Sequence, residues 1–120
     1  MRSRRRSFSR PNAKMERLAN RVWARCGAIL QLRWQWSLVW AEAWQIPREQ
    51  CGSCRPTTRE ILLDRGLCPD STVVAIAHEA RQAAFYEAGA SNRNDAEGRE
   101  FARWFFLQHG VELLKETESS

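Results

Sequence analysis

The segment between Cys51 and His78 constrains the fold most, because it carries three of the four cysteines of this 120-residue chain. Its spacing, Cys-x2-Cys-x13-Cys-x9-His, offers three thiolates and one imidazole, a donor set suited to a tetrahedral structural zinc site. One interpretation is therefore a zinc-stabilised node with the ligands Cys51, Cys54, Cys68 and His78. The other is a set of ordinary reduced cysteines beside a packed histidine, because one Cys-x2-Cys pair is a weaker sign of metal than two.

The same segment carries start and stop signals for helices. Thr57 and Glu60 have the spacing of a capping box, so a helix is predicted over 58–65, with Gly66 as a left-handed stop. A second helix is predicted over 71–88, and the two would form a helical hairpin. A DNA-binding helix–turn–helix is the less favoured version, since the face that would read bases carries no arginine.

Residues 28–46 allow two interpretations. Apolar and polar side chains alternate from Leu30 to Trp40, which is typical of a strand. No second convincing strand is found to pair with it, and an isolated strand leaves its backbone groups unsatisfied. A long helix from about 14 to 46 is therefore preferred, with a strand at about 29–40 as the alternative.

The C-terminal part begins with a second helix-start signal. Asn94 is a suitable N-cap and Glu97 follows three residues later, which predicts a helix over 95–109 that ends at Gly110. The residues that follow, 111–120, are acidic, and we expect them to fray.

These elements predict one all-α domain. It has about four helices over 14–110: a long N-terminal helix, the hairpin and a C-terminal helix. A flexible basic arm at 1–13 precedes it, and the acidic tail follows. An α+β fold with a strand at about 29–40 is the alternative.

Charge is strongly polarised along the chain. Residues 1–25 hold nine basic residues against one acid, a balance of +8, whereas the remaining residues hold ten basic and thirteen acidic ones, a balance of −3. Concentrated arginine favours binding to phosphates. The first functional hypothesis is a small regulatory or accessory protein that binds DNA or RNA through Arg2, Arg4, Arg5, Arg6, Arg10, Lys14, Arg17, Arg21 and Arg25.

The tryptophans suggest a second functional hypothesis. Six tryptophans is a high number for this length, and four of them lie within residues 30–44. The segment would then be the contact surface of a protein-interaction module, an inhibitor or adaptor, whose basic arm meets an acidic protein partner. It would also be a route to homo-oligomers. The contact residues would be Trp34, Trp36, Trp40 and Trp44.

No catalytic motif stands out, so we do not expect an enzyme. The chain has no glycine-rich phosphate loop, and nothing marks a third group that would orient a Cys–His pair. Gln31, Arg33 and Gln35 interrupt the first apolar run, which argues against a signal peptide and a membrane span. We expect a cytoplasmic protein, with mitochondrial targeting as a minor alternative and zinc as the single candidate cofactor.

Overall fold

The computed structural model of the protein describes residues 12–47 and 50–119. Within them, three helices pack with a three-stranded mixed sheet. The elements are α1 (Ala13–Leu30), β1 (Ser37–Ala41), a 3₁₀ turn (Ala43–Gln45), β2 (Gly52–Arg55), β3 (Glu60–Asp64), α2 (Pro69–Glu87), α3 (Asp95–Phe105), a π-helical turn (Phe106–Gly110) and α4 (Val111–Ser119). The last three segments form one continuous helix, because the backbone stays helical through Phe105, Phe106 and Val111.

The prediction of an all-α domain is wrong, and the α+β alternative fits. The sheet has the order β1-β3-β2, with β1 parallel and β2 antiparallel to β3. Leu38, Ile61 and Cys54 lie side by side across it, and the alternation of each strand turns these residues towards the helices. The alternating pattern in residues 30–40 therefore did indicate a strand, which begins at Ser37.

The predicted helix over 58–65 is replaced by β3, the central strand. Thr58 lies in a turn, where its hydroxyl donates to a Glu60 carboxylate oxygen at 2.9 Å rather than capping a helix. The next residue, Arg59, adopts a left-handed backbone with φ 57°. β1 and β2 form hydrogen bonds with the backbone N–H and C=O groups of β3, one strand on each side, and the side chains of Ile61 and Leu63 are fully buried.

The predicted long helix over 14–46 stops early. α1 ends at Leu30 because Gln31 takes a left-handed conformation and donates its backbone N–H to the Gly27 carbonyl. Glu87, at the end of α2, then holds the connection to β1: its carboxylate accepts from the backbone N–H groups of residues 33 and 34 and from Trp36 Nε1, at 2.8–2.9 Å. Burial alone would raise the pKa of Glu87, but these hydrogen bonds outweigh it and lower the pKa.

α2 is the central helix of the domain. It packs against α1, α3 and the sheet, and its core side chains are small ones such as Ala77, Ala80 and Ala83. α1 contributes Leu18 and Val22 to the same core. No helix in the described parts of the chain has the length and apolar character needed to cross a membrane.

Residues 111–119 form α4, which packs on α1 where a frayed tail was expected. Leu113 is buried, and charges across the contact are complementary. Lys14 Nζ lies 2.8 Å from a Glu118 carboxylate oxygen, and Arg25 lies 3.4 Å from Glu112. The N- and C-terminal parts of the described chain therefore hold each other through opposite charges.

Candidate functional site

A cleft of about 870 Å³ lies between α2 and α3 and reaches the start of β2. We call this the α2–α3 cleft. Its walls are apolar on the side of the π-helical turn, whereas charged groups lie towards the start of α3. The lining residues that matter here are Val74, Ala75, His78, Glu79, Asp95, Arg99, Ala102, Arg103, Phe106 and Leu107.

His78, Glu79 and Asp95 line the α2–α3 cleft, and Arg93 contacts the two carboxylates; we call these four side chains the floor cluster. Glu79 is only 1% exposed, and its Oε2 lies 3.4 Å from an Arg93 guanidinium nitrogen and 3.3 Å from His78 Nδ1. Arg93 Nε donates to Asp95 Oδ1 at 2.7 Å. Asp95 also lies 3.7 Å from His78 Nε2. One guanidinium is therefore shared by the buried Glu79 carboxylate and by the Asp95 carboxylate, which is 45% exposed.

The carboxylates stabilise the positive charge of Arg93, whose side chain is partly desolvated. Burial alone would lower the pKa of Arg93, but the adjacent Glu79 and Asp95 carboxylates outweigh this effect and raise the pKa above its ordinary value. The floor cluster is thus held by charge-assisted contacts, which are stronger than hydrogen bonds between neutral groups.

The loop that carries Arg93 is clamped by Gln82 of α2. The Gln82 amide donates to the Asn94 carbonyl and accepts from the Asn94 backbone N–H, both at 2.8 Å. Asn94 in turn caps α3, since its side chain accepts from the Glu97 backbone N–H at 3.1 Å. The helix start predicted from Asn94 and Glu97 is therefore confirmed, and Gln82 fixes that start against α2.

Two polar atoms at the floor have no hydrogen-bond partner among the described residues. They are His78 Nε2 and Glu79 Oε1, both buried. An unpaired buried polar atom is costly, so we expect each of these atoms to bond to water or to a ligand. Both residues line the α2–α3 cleft, which makes its floor the best candidate site of the described chain.

The rim of the α2–α3 cleft combines basic and apolar groups. Arg99 and Arg103 are exposed and lie four residues apart, so they share one face of α3. Val74 is 40% exposed and Leu107 is 71% exposed. An acid, Asp70, lies in the first turn of α2.

The four predicted zinc ligands are not assembled into one site. Cys68 precedes α2, where its thiol donates to the Ser71 hydroxyl, and Cys51 lies at the edge of the α2–α3 cleft. Burial, with the Glu79 carboxylate nearby, raises the pKa of the Cys54 thiol to about 12. The described residues contain no group of three or more histidine, cysteine or acidic side chains arranged to hold a metal ion. The zinc node stays a prediction without structural support.

The predicted nucleic-acid ligands fall into three sets. Lys14 and Arg25 pair with α4, and Arg21 donates to the Thr117 hydroxyl at 3.2 Å. Arg17 is exposed on α1. The remaining predicted ligands lie outside the described residues; they are Arg2, Arg4, Arg5, Arg6 and Arg10.

The four tryptophans of the predicted contact surface have different environments. Trp36 is buried and donates to Glu87, while Trp34 stacks on it at 5.7 Å between ring centroids and is covered by the Arg59 guanidinium. Trp40 is half-buried in β1. Trp44, in the 3₁₀ turn, is 82% exposed and is the one member of the set that offers a large free surface.

Most of the floor cluster could not be predicted from the sequence. The spacing from the cysteines marks His78 alone, but the structure places His78 with Glu79 and Asp95. One signal was available: His78-Glu79-x-x-Gln82 repeats the first two residues of the zinc-binding helix signature His-Glu-x-x-His at the same spacing. Gly98 allows α3 to lie close to His78 and Gln82 of α2, since a Cβ at this position would collide with both side chains.

Comparisons with protein-family models, curated proteins and solved structures give no match.

Proposed function

We propose that the protein is a non-catalytic binding module that holds an acidic peptide segment of a partner protein in the α2–α3 cleft. The observation that carries the proposal is the pairing of an apolar wall with Arg99 and Arg103 at the rim. Arginine offers a planar fork that fits a carboxylate, and two on one helix face suit two successive acidic groups. This moves the hypothesis of a protein-interaction module from the tryptophan segment to the cleft.

The size and composition of the α2–α3 cleft support a peptide over a polyanion. About 870 Å³ is in the range of sites that bury a small ligand or a few side chains. Val74 and Leu107 are apolar and exposed beside it, so an apolar side chain of the ligand would remove their surface from water. Asp70 repels a uniformly anionic ligand, which favours one with separate apolar and acidic residues.

Binding should depend on Arg99 and Arg103. In fluorescence polarisation, we expect a labelled peptide of alternating glutamate and leucine to bind, and one with glutamine in place of glutamate to bind at least about tenfold more weakly. The double variant Arg99→Ala/Arg103→Ala should lose a similar factor for the glutamate peptide. The matched control is Arg17→Ala, which removes an exposed arginine of α1 and should leave the affinity unchanged. Equal affinity of the double variant and the wild type would contradict the proposal.

A second candidate is nucleic-acid binding through the N-terminal basic residues, which the balance of +8 over residues 1–25 favours. The contacts of Lys14, Arg21 and Arg25 with α4 leave less of this charge for phosphates than the sequence suggests. An electrostatic complex of this kind would be largely independent of base sequence and sensitive to salt.

The nucleic-acid candidate is tested by removing basic residues other than Lys14, Arg21 and Arg25, which contact α4. The variant replaces by alanine the residues Arg2, Arg4, Arg5, Arg6, Arg10 and Arg17. In gel-shift titrations at two salt concentrations, we expect at least about tenfold weaker binding and a flatter salt dependence, because fewer counterions are released. Arg99→Ala/Arg103→Ala is the control that should shift nucleic acid normally. If the wild type shifts neither DNA nor RNA at low salt, this candidate fails.

A further inference from the structure

The continuous helix formed by α3, the π-helical turn and α4 has an apolar side that the other described residues leave uncovered. Trp104 is 44% exposed, Leu107 is 71% exposed and Val111 is 55% exposed. Their spacing of three and four residues places them on one side of the helix. The opposite side carries buried residues such as Phe105 and Leu113 and packs against α2 and α1. We call the uncovered side the α3–α4 face.

Charged residues of opposite sign extend the α3–α4 face at its two ends. Glu100 lies one turn before the apolar residues and Lys115 lies one turn after them, and both side chains are exposed. Arg103 and Glu112 flank the apolar residues in the same way. Glu112 remains 62% exposed although Arg25 lies 3.4 Å from it. An exposed apolar stripe with charged residues around it is typical of a surface that binds another protein.

The charges of the α3–α4 face are complementary to those of a second, reversed copy. Two copies of the helix can pack antiparallel about a two-fold axis that passes between residues 107 and 108. Glu100 of one copy then lies opposite Lys115 of the other. In the same alignment, Arg103 lies opposite Glu112. A parallel arrangement would instead bring each charge beside the identical residue of the second copy, which is unfavourable.

The apolar residues of the α3–α4 face fit the same alignment. Trp104 lies opposite Val111 of the second copy, and the two Leu107 side chains meet near the axis. Burying these side chains removes apolar surface from water, which favours association. Residues 100–115 make about 24 Å of helix, so the interface belongs to the small end of specific interfaces. We therefore expect a reversible dimer with a dissociation constant in the micromolar range.

We propose that the α3–α4 face binds a second copy of this chain and forms an antiparallel, two-fold symmetric dimer. The charge pattern favours a second copy over an unrelated helix, because each of these charged residues has its complement on the same face. The proposal does not rest on the proposed function. A dimer would compete with a peptide for Arg103 and Leu107, since both also line the α2–α3 cleft.

Reversing the charges at the two ends of the α3–α4 face tests the alignment. In analytical ultracentrifugation at low ionic strength, the wild type should pass from monomer to dimer as its concentration rises. Glu100→Lys and Lys115→Glu should each weaken the dimer at least about tenfold, because each reversal makes two contacts of the symmetric dimer repulsive. The double variant Glu100→Lys/Lys115→Glu should regain the wild-type affinity. An equimolar mixture of the two single variants should also associate, since a mixed dimer pairs opposite charges at both ends.

Leu107→Glu should abolish the dimer, because two carboxylates would meet at the axis. The matched control is Trp44→Ala, which removes a more exposed apolar side chain from the 3₁₀ turn and should leave the dimer unchanged. Circular dichroism verifies that each variant is folded. A wild type that stays monomeric up to about 1 mM would overturn the proposal. A dimer that survives Leu107→Glu, or single charge variants that fail to associate on mixing, would overturn it as well.

Discussion

Replacing Arg93 by alanine should lower the free energy of unfolding by about 3 kcal/mol, since it leaves a buried carboxylate without its counter-charge. Glu79 is 1% exposed, and Arg93 lies within 3.4 Å of it. Removing one member of a buried ion pair lowers stability by far more than the intact pair contributes, because the remaining charge is buried with neither water nor a counter-charge to stabilise it. Urea unfolding followed by circular dichroism measures the change directly.

Burial, and not the length of the ion pair, is the reason for that large effect. Lys14→Ala is the matched control: its pair with Glu118 is shorter, at 2.8 Å, but both side chains are largely exposed, so stability should change little. Adding Glu79→Gln to Arg93→Ala should recover much of the loss, because the unpaired charge is then gone. A similar loss for Arg93→Ala and Lys14→Ala, or no recovery in the double variant, would show that Glu79 is not the cause.

The helices that surround the cleft could be predicted because their signals are local. Pro69 and Asn94 lie at helix starts, and the alanine-rich face of α2 has helical spacing. The end of α1 could not be predicted, because it depends on Gln31 in a left-handed conformation, which this residue type does not favour on its own. The distant carboxylate of Glu87 stabilises this helix end by accepting hydrogen bonds from the backbone of residues 33 and 34.

The sheet was missed because its strands are short and become stable only through each other. Glu60–Asp64 contains a short apolar run that suits a buried helix turn as well as a strand. Its pairing with β1 joins residues more than twenty positions apart in the sequence, as in Ser37 and Glu60. Period-2 alternation in residues 30–40 was the correct local signal, but without a recognised partner strand the helix was preferred.

The candidate site was hidden for a related reason. Its ion pairs join Glu79 on α2 with Arg93 on the following loop, and nothing in the spacing of those residues marks them as partners. The Cys–His spacing drew attention to His78 by sequence distance, whereas the fold places Asp95 of α3 beside it. The basic residues of α1 are similarly interpreted from the sequence as free for phosphate, because their acidic partners on α4, Glu112 and Glu118, lie 87 and 104 positions away.

Replacing Gly98 by alanine should lower the free energy of unfolding by about 2 kcal/mol, the scale of overpacking in a tight core. A Cβ at this position of α3 would lie closer than 3.0 Å to ring atoms of His78 and to the amide nitrogen of Gln82. The Gln82 side chain can shift only slightly, because two hydrogen bonds hold it to the Asn94 backbone. His78 must therefore turn away from Asp95, or α3 must move off α2, so peptide binding in the α2–α3 cleft should weaken as well.

Gly27→Ala is the control that separates this collision from the general effect of alanine in a helix. Gly27 lies in α1 with no atom within 4 Å of an added Cβ, so the change should stabilise the protein by about 0.5–1 kcal/mol. Alanine has the same gain in helix propensity at Gly98, so Gly98→Ala destabilises the protein only if the collision between α3 and α2 outweighs that gain. In urea unfolding, a loss of stability for Gly98→Ala together with a gain for Gly27→Ala would therefore show that the two helices are in close contact. A stabilising Gly98→Ala would mean that α3 stands farther from α2, and the floor cluster would lose its geometric basis.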